Sequence, residues 1–255
     1  MQKYEITVSP DYVADWTVTD AVRELLQNAL DAENKGCQMI TAYNSETETF
    51  TVVSKNARLT IQSLLLGATT KATDDDSIGQ FGEGYKIATL VLLRNNKSIE
   101  FHNGSLSEVW RPRFIKSRRF GCNVLGFFVD KQLFNTVKAN KLEIVIEGIT
   151  NDENLIKPSA LCLRNDYHVI ESTEFGDIID IPGSIFVNGL FVCKHSAYVY
   201  GYDFKPKYLE LGRDRRLVSD FDLEWLASKV WAKSTNYDKL NELISTGTAD
   251  TRYLA

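Results

Sequence analysis

The sequence predicts an α+β fold, with helices on one face of a mixed, mostly antiparallel sheet, followed by a smaller α/β section. Residues 17–36, "TVTDAVRELLQNALDAENKG", repeat apolar side chains at helical spacing, and residues 85–96, "YKIATLVLLRNN", predict a second, more apolar helix. Short runs rich in β-branched and aromatic residues recur between polar turns, as strands do. Because helices and strands do not strictly alternate, the order favours an α+β sandwich.

The first half of the chain accounts for most predicted elements. "YEITVS" (4–9) predicts a strand, and the first helix has an acid three residues after Thr17 and a glycine stop at Gly36. "CQMITAYN" (37–44) and "TFTVVS" (49–54) predict two strands joined by a polar turn, and "LTIQSLLLGA" (59–68) a short helix. After the second helix, further strands are predicted at 97–103, 123–130 and 141–149.

The second section begins after the polar stretch near residue 150. Asn188-Gly189 between two apolar runs predicts a tight hairpin, and Ser219 with Asp222 predicts a capping box at the start of a helix over 219–234. We therefore expect a first domain over 1–150, an extension over 156–245 and a disordered tail over 246–255.

Composition restricts the class of protein. The chain has 255 residues, 44% of them apolar, and a formal net charge of −5, which argues against a surface built wholly for nucleic acid. The four cysteines form no C-x-x-C pair, so a zinc site or a dense disulfide framework is disfavoured. No long apolar run or signal-peptide core occurs, and we expect no membrane contact and a cytoplasmic location, that of the host if the protein is viral.

One face of the first helix carries polar side chains. Glu24, Asn28 and Asp31 are spaced at i, i+4 and i+7, so they share a face, while apolar residues cover the others. A carboxylate and an amide aligned on a helix that packs against a sheet favour a binding or catalytic site. A solvated helix face explains the same spacing.

A glycine-rich loop leads into the second helix. Residues 77–88, "SIGQFGEGYKIA", contain three glycines but match neither the P-loop nor the dinucleotide G-x-G-x-x-G pattern. Glycines let successive N–H groups turn toward an anion, and the start of the following helix adds its positive dipole end. The loop therefore favours a polyphosphate, and the alternative is a surface turn.

Three segments in this order resemble the signature motifs of the Bergerat-fold (GHKL) ATPases. "ELLQNALDA" matches E-x-x-x-N-x-x-D-A without a mismatch, "LLLGATTK" is similar to the segment ahead of the family's lid, and "GQFGEGYK" is similar to the lid itself. The resemblance covers roughly residues 4–150 and implies a Bergerat-type α/β sandwich that binds ATP with Mg²⁺.

The resemblance also implies roles for individual residues. Glu24 would be the general base that orients the attacking water, and Asn28 would bind Mg²⁺ together with phosphate oxygens and water. The backbone of the glycine loop would bind the triphosphate, with Lys86 adding positive charge. The nucleotide-binding residues that it implies are Asn28, Asp31, Lys35, Ser54, Gly67, Thr69, Thr70, Lys71, Gly79, Gln80, Phe81, Gly82, Glu83, Gly84, Tyr85 and Lys86.

One motif departs from the family pattern. Where the family has D-x-G-x-G after the third strand, this chain has "SKNAR", so Ser54 replaces the aspartate that binds the adenine amino group. A neutral hydroxyl accepts a hydrogen bond more weakly than a carboxylate by about 1 kcal/mol, and it can also donate. Selectivity for adenine is therefore expected to be relaxed.

Two basic segments suggest further roles. "LELGRDRRL" resembles the chaperone segment with a catalytic arginine, so Arg213 is a catalytic candidate, with a surface ion pair as the alternative. "RPRFIKSRRFG" mixes basic and aromatic side chains, which suits a nucleic-acid partner or a solvated strand face. Its basic residues are Arg111, Arg113, Lys116, Arg118 and Arg119.

The sequence thus predicts a Mg²⁺-dependent ATP hydrolase with slow turnover, in which nucleotide binding controls dimerisation or a protein partner. None of the three histidines lies in a phosphoacceptor helix, so an autonomous histidine kinase is not expected. One alternative is a catalytically inactive interaction module of the same fold. A further alternative, which depends on the basic run, is a nucleic-acid-processing subunit of the MutL or topoisomerase type.

Overall fold

The computed structural model describes residues 1–33, 35–65, 84–131, 139–153, 167–209 and 219–254. The chain divides into two compact units, and the described residues up to 153 belong to the first and those from 167 to the second. Helices pack on a large antiparallel sheet in the first unit, so the predicted α+β fold is confirmed. The two units are described separately below.

Helix α1 (Val18–Glu33) begins and ends where its sequence predicts. The backbone N–H and hydroxyl of Thr17 both donate to Asp20 Oδ2, at 2.8 and 2.7 Å, and the Asp20 N–H is 3.4 Å from Thr17 Oγ1. This reciprocal pair is the predicted capping box, which satisfies N–H groups that a helix start leaves unpaired. Gly36, with φ +90°, provides the left-handed conformation after the last turn.

The sheet of the first unit has seven strands in the order β1-β6-β5-β4-β7-β3-β2, and each neighbouring pair is antiparallel. Phe50, Val52, Phe101 and Ile144 lie on the face that carries the helices and are buried. The strands are β1 (Gln2–Ile6), β2 (Met39–Asn44), β3 (Thr49–Lys55), β4 (Ser98–Asn103), β5 (Glu108–Lys116), β6 (Asn123–Lys131) and β7 (Lys141–Glu147).

Helix α2 (Gly84–Arg94) packs beside α1 on the same sheet face. The ring of Tyr85 meets Phe101 edge to face at 6.1 Å between centroids. At the other end of α2, the Arg94 guanidinium donates to four backbone carbonyls, those of Pro10, Tyr12, Val13 and Trp16, at 3.0–3.1 Å. Arg94 therefore fastens the last turn of α2 to the segment that precedes α1.

The second unit packs two helices, α3 (Asp220–Ala232) and α4 (Tyr237–Thr246), with a five-stranded sheet in the order β11-β10-β12-β9-β8. Only the β10–β12 pair is parallel among the described strands. Asn188 and Gly189 both have positive φ and form the predicted hairpin turn, and the Asp222 N–H donates to Ser219 Oγ as the predicted cap. The strands are β8 (Val169–Ser172), β9 (Gly176–Ile179), β10 (Ser184–Val187), β11 (Leu190–Lys194) and β12 (Gly201–Phe204).

The predicted disordered tail over 246–255 is wrong for the described residues up to 254. Ala249–Thr251 form a short 3-10 helix whose side chains are buried. Asp250 accepts hydrogen bonds from the Val199 N–H at 2.9 Å and from the Tyr202 hydroxyl at 2.5 Å, and Trp231 Nε1 donates to the same hydroxyl at 2.8 Å. A buried, fully bonded carboxylate thus ties the end of the chain to β12 and α3.

In the described parts of the chain, no helix combines the length and apolar character needed to cross a membrane. Among those same residues, no three His, Cys, Asp or Glu side chains are grouped so that they would hold a metal ion.

Candidate functional site

Helix α1 carries a stripe of polar side chains along a face that is buried. The stripe residues recur three or four positions apart, which aligns them along one side of the helix. All but Asn28, which is half-buried, are at most 8% exposed. The stripe consists of Asp20, Arg23, Glu24, Gln27, Asn28 and Asp31. A buried run of polar and charged side chains is unusual on a helix that packs against a sheet, so the stripe is a candidate for a functional site.

The start of α2 lies directly against this stripe. A Cβ atom added at Gly84 would be 2.7 Å from Asn28 Nδ2 and 2.8 Å from Glu24 Oε2, so any residue with a side chain would have to displace these two atoms. The N–H groups of the first helical turn have no partner inside the helix, and the positive end of the helix dipole is located there. The structure therefore brings the predicted base, the predicted metal ligand and a helix amino terminus together.

The orientation of Asn28 suits a hard cation. Its Nδ2 donates to the Glu24 carbonyl oxygen at 2.8 Å, which makes Oδ1 the acceptor atom of the side chain. Mg²⁺ prefers oxygen ligands and commonly uses one or two protein oxygens together with phosphate and water. The amide oxygen of Asn28 and the Glu24 carboxylate, one turn apart on α1, are oxygen donors of the kind that this set contains. The metal role of Asn28 nevertheless stays a prediction.

Asp31, at the C-terminal end of the stripe, acts on Tyr85 through its charge. Burial raises the pKa of the Tyr85 hydroxyl well above its usual range, and the negative charges of Asp31 and Cys37 raise it further. Tyr85 therefore keeps its proton at physiological pH and remains a hydrogen-bond donor.

The Lys86 ammonium donates to backbone carbonyls of the protein. Its side chain is 1% exposed, and Nζ donates to the backbone carbonyls of Ser63 and Leu65 at 2.8 and 2.6 Å. Ser63 belongs to the short 3-10 helix Ile61–Leu64, which has the predicted location. The ammonium thus holds this helix against α2, and contact with a phosphate stays a prediction.

Ser54 lies in a row of buried side chains at one end of the sheet. It pairs with Met39 on β2 and with Leu142 on β7, and Leu142 in turn pairs with Asn103 on β4. Directly opposite residues of antiparallel strands point to the same face, and all four side chains are buried on the face that carries the helices. Ser54 is therefore placed beneath the helices.

One predicted site residue, Lys35, lies outside this cluster, and others lie outside the described residues. Lys35 lies beyond the end of α1 and is exposed, and its contact with nucleotide stays a prediction. The remaining members of the predicted set lie outside the described residues, so their roles also stay predictions. They are Gly67, Thr69, Thr70, Lys71, Gly79, Gln80, Phe81, Gly82, Glu83 and the catalytic candidate Arg213.

The basic run is engaged with neighbouring side chains of the same sheet. On β5, Arg111 Nε donates to Glu100 Oε1 at 2.7 Å, and the Arg113 guanidinium lies 3.8 Å from the centroid of the Phe128 ring. A cation over an aromatic face stabilises both groups and shields the ring from water. These contacts agree with a solvated strand face, and a nucleic-acid partner stays a prediction.

Sequence analysis missed two buried polar residues, Gln27 and Asn103, although both carry a signal. Neither amide atom of Gln27 has a hydrogen-bond partner among the described residues, and the same is true of Asn103 Oδ1. Asn103 follows Ile99 and Phe101 at the period of two that marks the buried face of a strand. A polar residue at a core position of a strand was therefore the available signal.

Comparisons with known proteins give distant likenesses. No protein-family model matches the chain. The chain is 27% identical over 220 residues to a Mycoplasma pneumoniae protein described as "Uncharacterized protein", covering 81% of this chain and 87% of the relative. It is similar to the crystal structure of the ATPase region of Saccharomyces cerevisiae topoisomerase II bound to ICRF-187 (dexrazoxane), with a TM-score of 0.42 and 11% identity. That match covers 68% of this chain but 62% of the other, so the chain spans less than two thirds of that structure's length.

Proposed function

We propose that this protein binds ATP with Mg²⁺ at the junction of α1 and α2 and hydrolyses it slowly. The observation that carries the proposal is the approach of Gly84 to Glu24 and Asn28. A carboxylate, the Asn28 amide group and a helix amino terminus meet there. The carboxylate would supply a base, the amide oxygen a metal ligand, and the helix N–H groups donors for phosphate. The order of the three sequence motifs supports the same function.

Glu24 is suited to the chemical step. Its carboxylate is buried on a helix that is capped and packed, so its position is held before any substrate arrives. It would orient a water molecule toward the γ-phosphate and accept the proton that the water releases as it attacks. Asn28 would bind Mg²⁺, which supplies positive charge to the phosphate oxygens during the transfer. The N–H groups at the start of α2 would bind the same phosphates.

Slow turnover follows from this arrangement. A single positioned base contributes about 10²- to 10⁴-fold to a rate, which is a small part of what phosphoryl transfer requires. We therefore propose that nucleotide binding and hydrolysis act as a conformational switch, for dimerisation or for a protein partner. Light scattering with and without a non-hydrolysable ATP analogue tests dimerisation, and an unchanged mass would leave a partner as the target.

The substitution Glu24→Gln tests the proposed chemistry because it keeps the size of the side chain and removes the base. We expect loss of phosphate release, while calorimetric titration with a non-hydrolysable ATP analogue still shows Mg²⁺-dependent binding. Glu33→Gln is the matched control on the same helix, since the glutamine retains the oxygen that accepts from the Met39 N–H at 2.9 Å. Wild-type hydrolysis by Glu24→Gln, or loss of binding as well as hydrolysis, would contradict the assigned role.

A second candidate function is an interaction module of the same fold that has lost nucleotide. Two observations favour it. Ser54 is neutral where the resemblance expects an aspartate that binds adenine, and Lys86 donates to carbonyls of the protein itself. The calorimetric titration with nucleotide analogues distinguishes the two functions. If the wild-type protein binds neither ATP nor GTP analogues, with or without Mg²⁺, the interaction module is the better interpretation and the ATPase function is wrong.

A further inference from the structure

Strand β1 lies at an edge of the seven-stranded sheet. It pairs with β6 on one side, and among the described residues no strand lies on the other side. The N–H and C=O groups along the free side of an edge strand can pair with an added strand. Gln2, Lys3 and Glu5 are exposed, which leaves β1 accessible to another chain.

A cavity of about 400 Å³ borders this edge strand. It is lined by residues 3–7 and by Ile61, Leu64 and Leu65, which lie in and just after the short 3-10 helix. Cavities of this size hold a small molecule, so there is room for a large side chain. Leu65 is 61% exposed and would be withdrawn from water if the cavity were filled. The edge of β1 thus has space beside it for the side chains of an added strand.

The charges of β1 are self-complementary. Tyr4 pairs with Phe127, which contacts Phe101 on the face that carries the helices, so Lys3 and Glu5 point to the opposite face. Lys3 Nζ lies 2.9 Å from Glu5 Oε1, and the two side chains are 48% and 37% exposed. If two copies of β1 lie antiparallel with Tyr4 opposite Tyr4, Lys3 of each copy faces Glu5 of the other. The charge pattern therefore fits a second copy of the same strand.

We propose that the free edge of β1 binds β1 of a second copy of this chain, antiparallel and about a two-fold axis through Tyr4. The two sheets then continue as one across the axis, and each Tyr4 side chain faces the cavity beside the other copy's β1. A two-fold contact uses the same patch on both copies and closes at a dimer. The inference names the surface for the dimerisation that the proposed function includes, and it rests on the proposed function in that respect.

The interface is small, because β1 has five residues. We therefore expect weak association, with a Kd in the micromolar range. Opposite charges that face each other across neighbouring strands attract, and like charges in the same place repel. The two Lys3–Glu5 pairs thus give a means of breaking and restoring the contact without changing its backbone.

Sedimentation equilibrium across the micromolar range, with and without a non-hydrolysable ATP analogue, measures the association. Lys3→Glu places glutamates opposite each other in both pairs, and Glu5→Lys places lysines there. Each variant should therefore dimerise more weakly than the parent by about tenfold or more. Lys55→Glu, on β3 near the other end of the sheet, is the control and should dimerise like the parent. All three side chains are exposed, so the variants should fold, and the Tm of each checks this.

Two restorations test the antiparallel register. In an equimolar mixture of Lys3→Glu and Glu5→Lys, each glutamate of one chain faces a lysine of the other, so dimerisation should return to the parent's level. The double variant Lys3→Glu/Glu5→Lys exchanges the two charges and should also dimerise like the parent.

The outcomes separate the inference from the function on which it rests. A parent that stays monomeric with and without the analogue overturns the inference and leaves the edge to a strand of a different protein. A dimer that neither single variant weakens, or that the mixture does not restore, uses another surface and overturns it as well. Calorimetric titration of the same preparations tests nucleotide binding separately. A monomeric parent that binds the analogue contradicts this inference alone, whereas a parent that dimerises through β1 without binding the analogue contradicts the ATPase function alone.

Discussion

Replacing Gly84 with alanine separates catalysis from stability. The added Cβ would lie 2.7 Å from Asn28 Nδ2 and 2.8 Å from Glu24 Oε2, whereas ordinary contact begins at 3.4 Å. The Asn28 amide and the Glu24 carboxylate must therefore move away by about 0.6–0.7 Å, which small side-chain rotations allow. A misplacement of this size in a catalytic group reduces a rate by roughly ten- to a hundredfold. Folding should be unaffected or improved, because alanine favours a helix over glycine by up to about 1 kcal/mol.

The assay pairs phosphate release with thermal unfolding of the same preparation. Gly84→Ala should lower kcat by roughly ten- to a hundredfold, while Tm stays constant or rises by about 2 °C. Gly148→Ala is the control with the opposite expectation. Gly148 has φ +81° and follows β7 at the end of that strand remote from Leu142. A side chain in this conformation costs about 1–2 kcal/mol, so Tm should fall while kcat is unchanged.

Wild-type kcat for Gly84→Ala would refute the claim that the start of α2, Glu24 and Asn28 form one site. A loss of activity accompanied by a large fall in Tm would also count against it, since the reasoning predicts displacement of two side chains and not loss of structure.

Two further predictions concern the second unit. Burial raises the pKa of the Asp203 carboxyl to about 7, against the lowering effect of the Gly189 N–H and with the further raising effect of Asp177. The folded state then holds a proton that the unfolded state releases near the ordinary pKa of 3.8. The free energy of unfolding should therefore fall by up to about 4 kcal/mol as the pH rises from 4 to 7. Denaturant titrations at several pH values measure this dependence, and Asp203→Asn should flatten it. Asp250→Ala should lower the free energy of unfolding by about 3 kcal/mol, because it leaves the buried Tyr202 hydroxyl without an acceptor and removes the acceptor of the Val199 and Tyr200 N–H groups. A change below about 1 kcal/mol would show that water replaces the carboxylate.

The features that sequence predicted well are those determined by neighbours along the chain. The cap at Thr17, the hairpin at Asn188 and the shared face of Glu24, Asn28 and Asp31 follow from spacings of one to seven residues. Local geometry dictates such features, so a pattern in the sequence is sufficient to find them.

The features that it missed depend on partners far away in the chain. Lys86 finds the carbonyls of Ser63 and Leu65 more than twenty residues before it, and Asp250 finds N–H groups about fifty residues before it. Asn103 is polar at a buried strand position, where periodicity alone expects an apolar side chain. No spacing rule connects such residues, because the topology of the sheet and helices brings them together.

The hold of Arg94 on the segment before α1 gives α2 a mechanical property. A helix held at one end moves most at its other end when it tilts. Helix α2 is held at Arg94, and Gly84 lies at its other end, beside Glu24 and Asn28. Its eleven residues make a lever about 15 Å long. A turn of only about 4° about Arg94 would carry Gly84 about 1 Å across Glu24 and Asn28. The hydrogen bonds of the Arg94 guanidinium limit the tilt of α2 and so hold Gly84 in position relative to Glu24 and Asn28.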